Sequence, residues 1–260
     1  MVETFKKTAV VTSVDKLAED IYSMWIKDSS VAAAAKPGQF LSLYCKNGNK
    51  LLPRPISICE IDKDRASLRL VYRVIGNGTE EFSHLSESDT IEIMGPLGNG
   101  FSLSDITNKS NKVILIGGGI GIPPMLELAK QLPCEKQIVL GYRDQLFLNN
   151  EFEQYGQVYI STEDGSVGTK GNVIDAIKEY GLVGDMIFAC GPTPMLKGVK
   201  AFAKEHNIPA QLSMEERMAC GIGACLACVC KSIEKDHHTN VNNKRVCKDG
   251  PVFYADEIEL

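Results

Sequence analysis

The sequence predicts a multi-domain β plus α/β protein: an antiparallel β-barrel, a doubly wound parallel-sheet domain, and a small C-terminal unit. Three observations predict it. Short β-branched and aromatic runs broken by turn clusters fill the N-terminal part, and buried apolar runs alternate with helical stretches in the middle. Five of the nine cysteines crowd into the last 41 residues. The expected boundaries are 1–102, 103–210 and 211–260, with no internal repeat and no low-complexity linker.

Bulk properties exclude several classes. A chain of 260 residues has room for more than one domain of roughly 100–200 residues. At 44% hydrophobic and 23% charged residues it reads as ordinary globular protein. The net charge of −5 argues against a nucleic-acid binder, which needs surplus Lys and Arg to neutralise phosphates. No run approaches the ~18 apolar residues of a membrane span, and Met1–Lys7 lacks the cationic and apolar regions of an export signal. The expected location is the cytoplasm. An odd number of cysteines without an export signal also argues against a disulfide framework.

In the first domain the strand-like runs are Thr8–Val14, Ile21–Ile26, Phe40–Tyr44, Ile56–Cys59, Ser67–Arg73 and Thr90–Met94. Clusters such as Lys36-Pro37-Gly38 and Lys46-Asn47-Gly48-Asn49 separate them, a spacing that suits a barrel or sandwich. From Lys112 the pattern changes. Lys112–Ile116, Ile138–Gly141, Val158–Ser161 and Met186–Ala189 are short buried runs. Helical stretches at Met125–Leu132, Val173–Tyr180 and Met195–His206 lie among them, the alternation of a parallel sheet.

The most specific signal is Cys220, Cys225 and Cys228, with Cys247 following after eighteen intervening residues. C-x4-C-x2-C…C is the plant-type spacing for a [2Fe–2S] cluster. Gly221, Gly223, Ala224 and Ala227 keep bulk out of the loop, so that it can wrap an inorganic core. Structural zinc, a disulfide pair and buried free thiols are the other readings. Zinc usually takes two C-x2-C-like pairs, whereas three ligands here share one loop. Cys230 is off the pattern and reads as a packed thiol. His237 and His238 lack the C-x-H pairing of a Rieske centre and read as a solvated loop.

Gly117–Pro124 is a glycine turn between a buried strand and a helix start, where Gly118, Gly119 and Gly121 would let a pyrophosphate approach the helix N-terminus. A tight structural turn would use the same residues. A second strand-to-helix turn, Cys190-Gly191-Pro192-Thr193-Pro194-Met195, strengthens the case. Two such turns on neighbouring strands form the crevice where doubly wound sheets bind dinucleotides. The nicotinamide site is expected at Gly118, Gly119, Gly121, Cys190, Gly191, Pro192 and Met195, with Cys190 the one candidate for a catalytic position. After the next strand, Arg143 would accommodate a 2′-phosphate and Asp144 would repel it.

A hydride carries two electrons and a [2Fe–2S] cluster accepts one, so a flavin is required between them. Its expected seat is Arg54-Pro55-Ile56-Ser57, with Arg54 clamping a pyrophosphate and Ser57 reaching the ring. Val71-Tyr72-Arg73 offers an aromatic face and a cation, and Gly78-Thr79 offers backbone donors.

In this order, Arg54–Ser57, Gly117–Pro124 and Cys190–Met195 resemble the ferredoxin-reductase superfamily of flavoproteins. Glu216–Cys225 followed by Cys247–Phe253 is similar to the electron-transfer subunits of class-B (NAD-dependent) dihydroorotate dehydrogenases, and the resemblance covers essentially the whole chain. It implies FAD at Arg54–Ser57, Val71–Arg73 and Gly78–Thr79, NADH rather than NADPH at the parallel sheet, and cluster ligation by Cys220, Cys225, Cys228 and Cys247. It also implies an FMN-containing catalytic subunit as partner, two copies of each chain, and orotate formation in pyrimidine (UMP) biosynthesis. Leu51-Leu52-Pro53 departs from it, since relatives often carry a further Arg before Arg54. The rival readings are a flavin–iron–sulfur subunit of a sulfide dehydrogenase, transhydrogenase or hydrogenase, and a redox-sensing or zinc module on a reductase scaffold. No membrane and no nucleic-acid partner is expected.

Overall fold

The computed structural model describes residues 6–46, 50–104, 106, 108–235 and 240–260. His237, His238 and the Asn47–Asn49 part of the first-domain turn lie outside the described residues.

The N-terminal part is a closed barrel. Its elements are β1 (Lys6–Lys16), β2 (Ile21–Lys27), α1 (Ser29–Ala34), β3 (Phe40–Tyr44), β4 (Arg54–Asp62), β5 (Ser67–Arg73), α2 (Asn77–Ser83) and β6 (Thr90–Leu97). The strand order β1-β2-β5-β4-β3-β6 is antiparallel throughout. Side-chain alternation sorts β5 between two surfaces. Leu68, Leu70 and Tyr72 fill the barrel interior, whereas Val71 joins Ile21 and Cys59 in a second apolar cluster shared with the neighbouring domain.

That domain contains β7 (Lys112–Gly118), α3 (Pro123–Gln131), β8 (Glu135–Tyr142), α4 (Asn149–Phe152), β9 (Gln157–Thr162), β10 (Thr169–Lys170), α5 (Val173–Glu179), β11 (Met186–Cys190), α6 (Thr193–Glu205) and β12 (Ala210–Ser213). β13 (Val229–Lys231), β14 (Asn243–Arg245) and β15 (Val252–Tyr254) follow. The sheet order is β10-β9-β8-β7-β11-β12-β15, parallel except for the last pair. The sequence pattern does not show β12, because buried Gln211 and Ser213 break its apolar run. The boundary expected after residue 210 runs through this strand. The cysteine-rich segment does not simply follow the sheet in series: it returns β15 to the sheet edge.

Polar contacts bind barrel to sheet. The Glu127 carboxylate on α3 accepts the Ile61 N–H of β4 at 2.7 Å, and Lys130 Nζ donates to Ile61 O at 3.2 Å. Arg69 on β5 donates to Glu60 at 2.8 Å and to both oxygens of Glu151 at 2.5 and 3.1 Å. Among the described residues, no helix is long and apolar enough to cross a membrane.

Candidate functional site: a crevice, a barrel edge and a thiol loop

The order of strand addition reverses between β7 and β11, which run parallel and pair with Gly117 opposite Cys190. Both predicted turns therefore leave the sheet side by side, at the switch point where such sheets hold ligands. The glycines divide the work. A Cβ on Gly118 would meet Met195 Sδ at 2.3 Å, one on Gly121 would meet Cys190 O at 2.4 Å, and one on Gly191 would meet Met195 Cε at 2.5 Å. Those three let the turns close on each other around Met195. Gly119 has open space beyond its Cα and φ +52, so it is the face left for an incoming group. Pro192 is exposed at the N-cap of α6. The Cys190 thiol is buried, and burial pushes it up to about 12 against a hydrogen bond from Ser213. It is a neutral thiol at neutral pH.

The segment expected to seat the flavin forms the open end of β4. Arg54, Pro55, Ile56 and Ser57 are all half-buried, whereas Ile58 and Cys59 are fully covered. Arg54 lies over the first turn of α2, where a Cβ on Gly78 would fall 2.1 Å from its Nε, and its Nη1 donates to Leu52 O. A guanidinium fork beside helix-turn N–H groups fits a pyrophosphate. The Thr79 hydroxyl accepts from Ile75 N and donates to Gly76 O, holding the approach to α2. Val71 packs in the apolar cluster with Ile122, beside the glycine turn. Arg73 is tied to Asp20 at 3.1 Å. The aromatic face expected of Tyr72 is used inside the barrel: its ring stacks on Tyr22 and meets Phe82 edge-on. Its buried hydroxyl has no hydrogen-bond partner among the described residues.

The four patterned cysteines come together in two pairs. Cys220 and Cys225 neighbour each other, and so do Cys228 and Cys247. Backbone N–H groups point at the sulfurs: Gly223 N at Cys247 Sγ (3.1 Å), Ala224 N at Cys220 Sγ (3.3 Å) and Cys247 N at Cys228 Sγ (3.4 Å). Burial raises Cys220, but the amides of Ile222, Cys225 and Ala224 and the Cys225 thiol outweigh it and bring it down to about 6. Burial, reinforced by Cys228, pushes Cys247 up to about 12. Among the described residues no three such side chains converge on a single ion. Two thiol pairs served by amide donors fit a binuclear centre with two thiolates per iron better than a zinc tetrahedron. Cys230 is buried in the apolar core, where burial raises its thiol.

The thiol loop sits against the barrel. A cleft of about 190 Å³ has Leu97, Gly98 and Asn99 on one side and Gly221, Ile222, Cys247 and Lys248 on the other. Asn99 crosses it, donating from Nδ2 to Lys248 O and Asp249 O at 3.2 and 3.0 Å and from its amide to Gly250 O at 2.6 Å. Sequence reasoning missed Asn99, because Gly98-Asn99-Gly100 reads as an ordinary turn. It also missed Glu127, one acidic residue among many until β4 is laid against α3.

The family model for the iron–sulfur cluster binding domain of dihydroorotate dehydrogenase B matches residues 215–259. The chain is 44% identical to the dihydroorotate dehydrogenase B (NAD(+)) electron transfer subunit of Fusobacterium nucleatum, over 94% of this chain and 95% of that one. It is 47% identical to the Listeria monocytogenes subunit of that name, with the same coverage. Among solved structures, a chain from a study of flavin-based electron bifurcation in NADH-dependent reduced ferredoxin-NADP oxidoreductase superposes with TM-score 0.85 at 31% identity, covering 96% of this chain and 89% of that one. A ferredoxin NADP+ reductase from Neisseria gonorrhoeae (TM-score 0.62, 17% identity, covering 78% of this chain and 92% of that one) shares the fold. With barrel, crevice and thiol loop matched along nearly its whole length, the chain belongs to the family of dihydroorotate dehydrogenase B electron transfer subunits.

Proposed function

We propose that the chain carries electrons between NAD(H) and the FMN of a dihydroorotate dehydrogenase catalytic subunit, in the orotate-forming step of pyrimidine biosynthesis. One observation carries the reading: in a chain 43–47% identical to subunits of that name, a four-thiol loop is packed directly on a barrel whose open strand end offers Arg54 beside α2. When bound, FAD supplies the exchange of a hydride for single electrons, and a [2Fe–2S] cluster supplies a one-electron carrier.

The chain's own residues do the rest. Arg54 and the first turn of α2, at Gly78 and Thr79, hold the FAD pyrophosphate, and Ser57 faces the ring. Gly119 and the start of α3 take the dinucleotide pyrophosphate, with Cys190, Gly191 and Pro192 bounding the nicotinamide end. Val71 and Ile122 keep water from the junction of barrel and sheet. Cys220, Cys225, Cys228 and Cys247 hold the cluster, and their amide donors stabilise its charge. The partner binds over the thiol loop, where Ile222 and Leu226 are exposed, in an assembly of two copies of each chain in the cytoplasm.

The pyrimidine chemistry belongs to the partner, so the isolated protein is expected to bleach its flavin with NADH and reduce one-electron dyes without oxidising dihydroorotate. Adding the FMN subunit is expected to couple dihydroorotate oxidation to NAD+ reduction. Stopped-flow absorbance and steady-state turnover measure both. Dihydroorotate oxidation by the isolated chain, or no coupling on reconstitution, would overturn the assignment.

A further inference from the structure

Cys220, Cys225 and Cys228 lie on one loop and Cys247 on a turn nineteen positions after Cys228. Two local strands, β13 and β14, bring them near each other, and a further side chain ties them. Arg245, at the end of β14, forms a fork with Asp249: Nε to Oδ2 and Nη2 to Oδ1, both at 3.0 Å. The same carboxylate accepts the Arg245 amide at 2.8 Å. The remaining arm crosses to the other loop, where Nη1 donates to Gly223 O at 3.2 Å. The peptide that carries this oxygen also carries the Ala224 N–H, which points at Cys220 Sγ at 3.3 Å. A cation on the carbonyl end of a peptide polarises it and strengthens the bond made by its N–H end. The guanidinium therefore acts on a patterned thiol through a single peptide group.

We propose that Arg245 is a positioning residue that clamps the Cys247 turn to the Cys220–Cys228 loop and raises the reduction potential of the group the four thiols hold. The inference rests on the assignment of those thiols to a [2Fe–2S] cluster. Reduction adds negative charge to the site, so a nearby cation favours the reduced form and a nearby anion opposes it. Arg245 and Asp249 nearly balance in charge, but Arg245 is the member that reaches the loop. Removing either one unbalances the other.

The test is a redox titration of the holoprotein, followed by the electron paramagnetic resonance signal of the reduced cluster, with FAD content as the control for folding. Arg245→Gln is expected to shift the midpoint to lower potential, because Asp249 then stands uncompensated. Asp249→Asn is expected to shift it upward, and both variants are expected to lose iron to a chelator faster than the parent. A merely structural contact would move both midpoints the same way or neither, and either result overturns the proposal. If Arg245→Gln retains no cluster, Asp249→Asn decides alone: an upward shift supports the proposal, and an unchanged or lower midpoint overturns it. A parent protein with flavin but no such signal would overturn the cluster assignment and this inference with it.

Discussion

Cys228 and Cys230 lie two positions apart in very different surroundings. Cys228 Sγ accepts the Cys247 N–H at 3.4 Å and lies beside the Cys247 thiol. Cys230 lies in β13 opposite Lys244, packed in the apolar core with its thiol raised by burial. A soft thiolate is the preferred iron ligand and a hydroxyl a poor substitute. Cys247→Ser is therefore expected to lose most of the iron and acid-labile sulfide, and Cys230→Ser to retain the parent content. Colorimetric iron and sulfide counts check both, and a full complement in Cys247→Ser would refute its place in the site. The same scale explains why Gly78 and Gly119 are glycines for different reasons. One must make room for Arg54, and the other stands in the left-handed region at an open face.

Among the elements, α3 couples the glycine turn to the barrel strand that carries Arg54. Its N-terminus begins after the Gly119 turn, and its other end docks on β4 through Glu127 and Lys130. β4 is the strand that starts at Arg54. Burial pushes the Glu127 carboxyl above its ordinary 4.5, despite hydrogen bonds from Gln131 and the Ile61 amide. The folded protein then binds more protons than the unfolded chain between 4.5 and the raised value. Stability therefore falls as pH rises through that window and stays lower above it. Glu127→Gln keeps an acceptor for Ile61 N–H and removes the charge. Its unfolding free energy relative to the parent is expected to improve as pH rises from 4.5 through that window and then to level off. Denaturant unfolding at a series of pH values measures this, and parallel curves for the two proteins would reject it.

For the whole molecule, barrel and sheet must keep a fixed relation for the crevice to face the proposed flavin edge. Arg69 is the main polar tie: nearly buried, it is held by Ser23 and Glu60 within the barrel and by Glu151 from α4. Removing one member of a buried ion pair costs about 3–5 kcal/mol. Glu151 is 39% exposed, so solvent screening reduces the expected cost of Arg69→Met to about 1–3 kcal/mol. The variant is expected to unfold at lower denaturant concentration and to reduce its flavin with NADH more slowly. An unchanged unfolding midpoint would mean that the apolar cluster around Val71, Ile122 and Met125 holds the domains without this tie.

What the sequence alone determined is local. β-branched runs bounded by turn residues made the six barrel strands legible, glycine and proline marked both crevice turns, and C-x4-C-x2-C marked the thiol loop. Each of these signals lies within one short segment, where backbone preference and side-chain spacing act directly. What only the tertiary structure decided is long-range: the pairing of β12 with β15, Asn99 reaching Gly250, Arg69 meeting Glu151, and Tyr72 turning its ring into the barrel. The residues at those contacts are polar or short-patterned, and by themselves they suit a surface as well as an interior. Their partners lie tens of residues away, and desolvation and pairing fix their roles only once the barrel and the sheet have closed on each other.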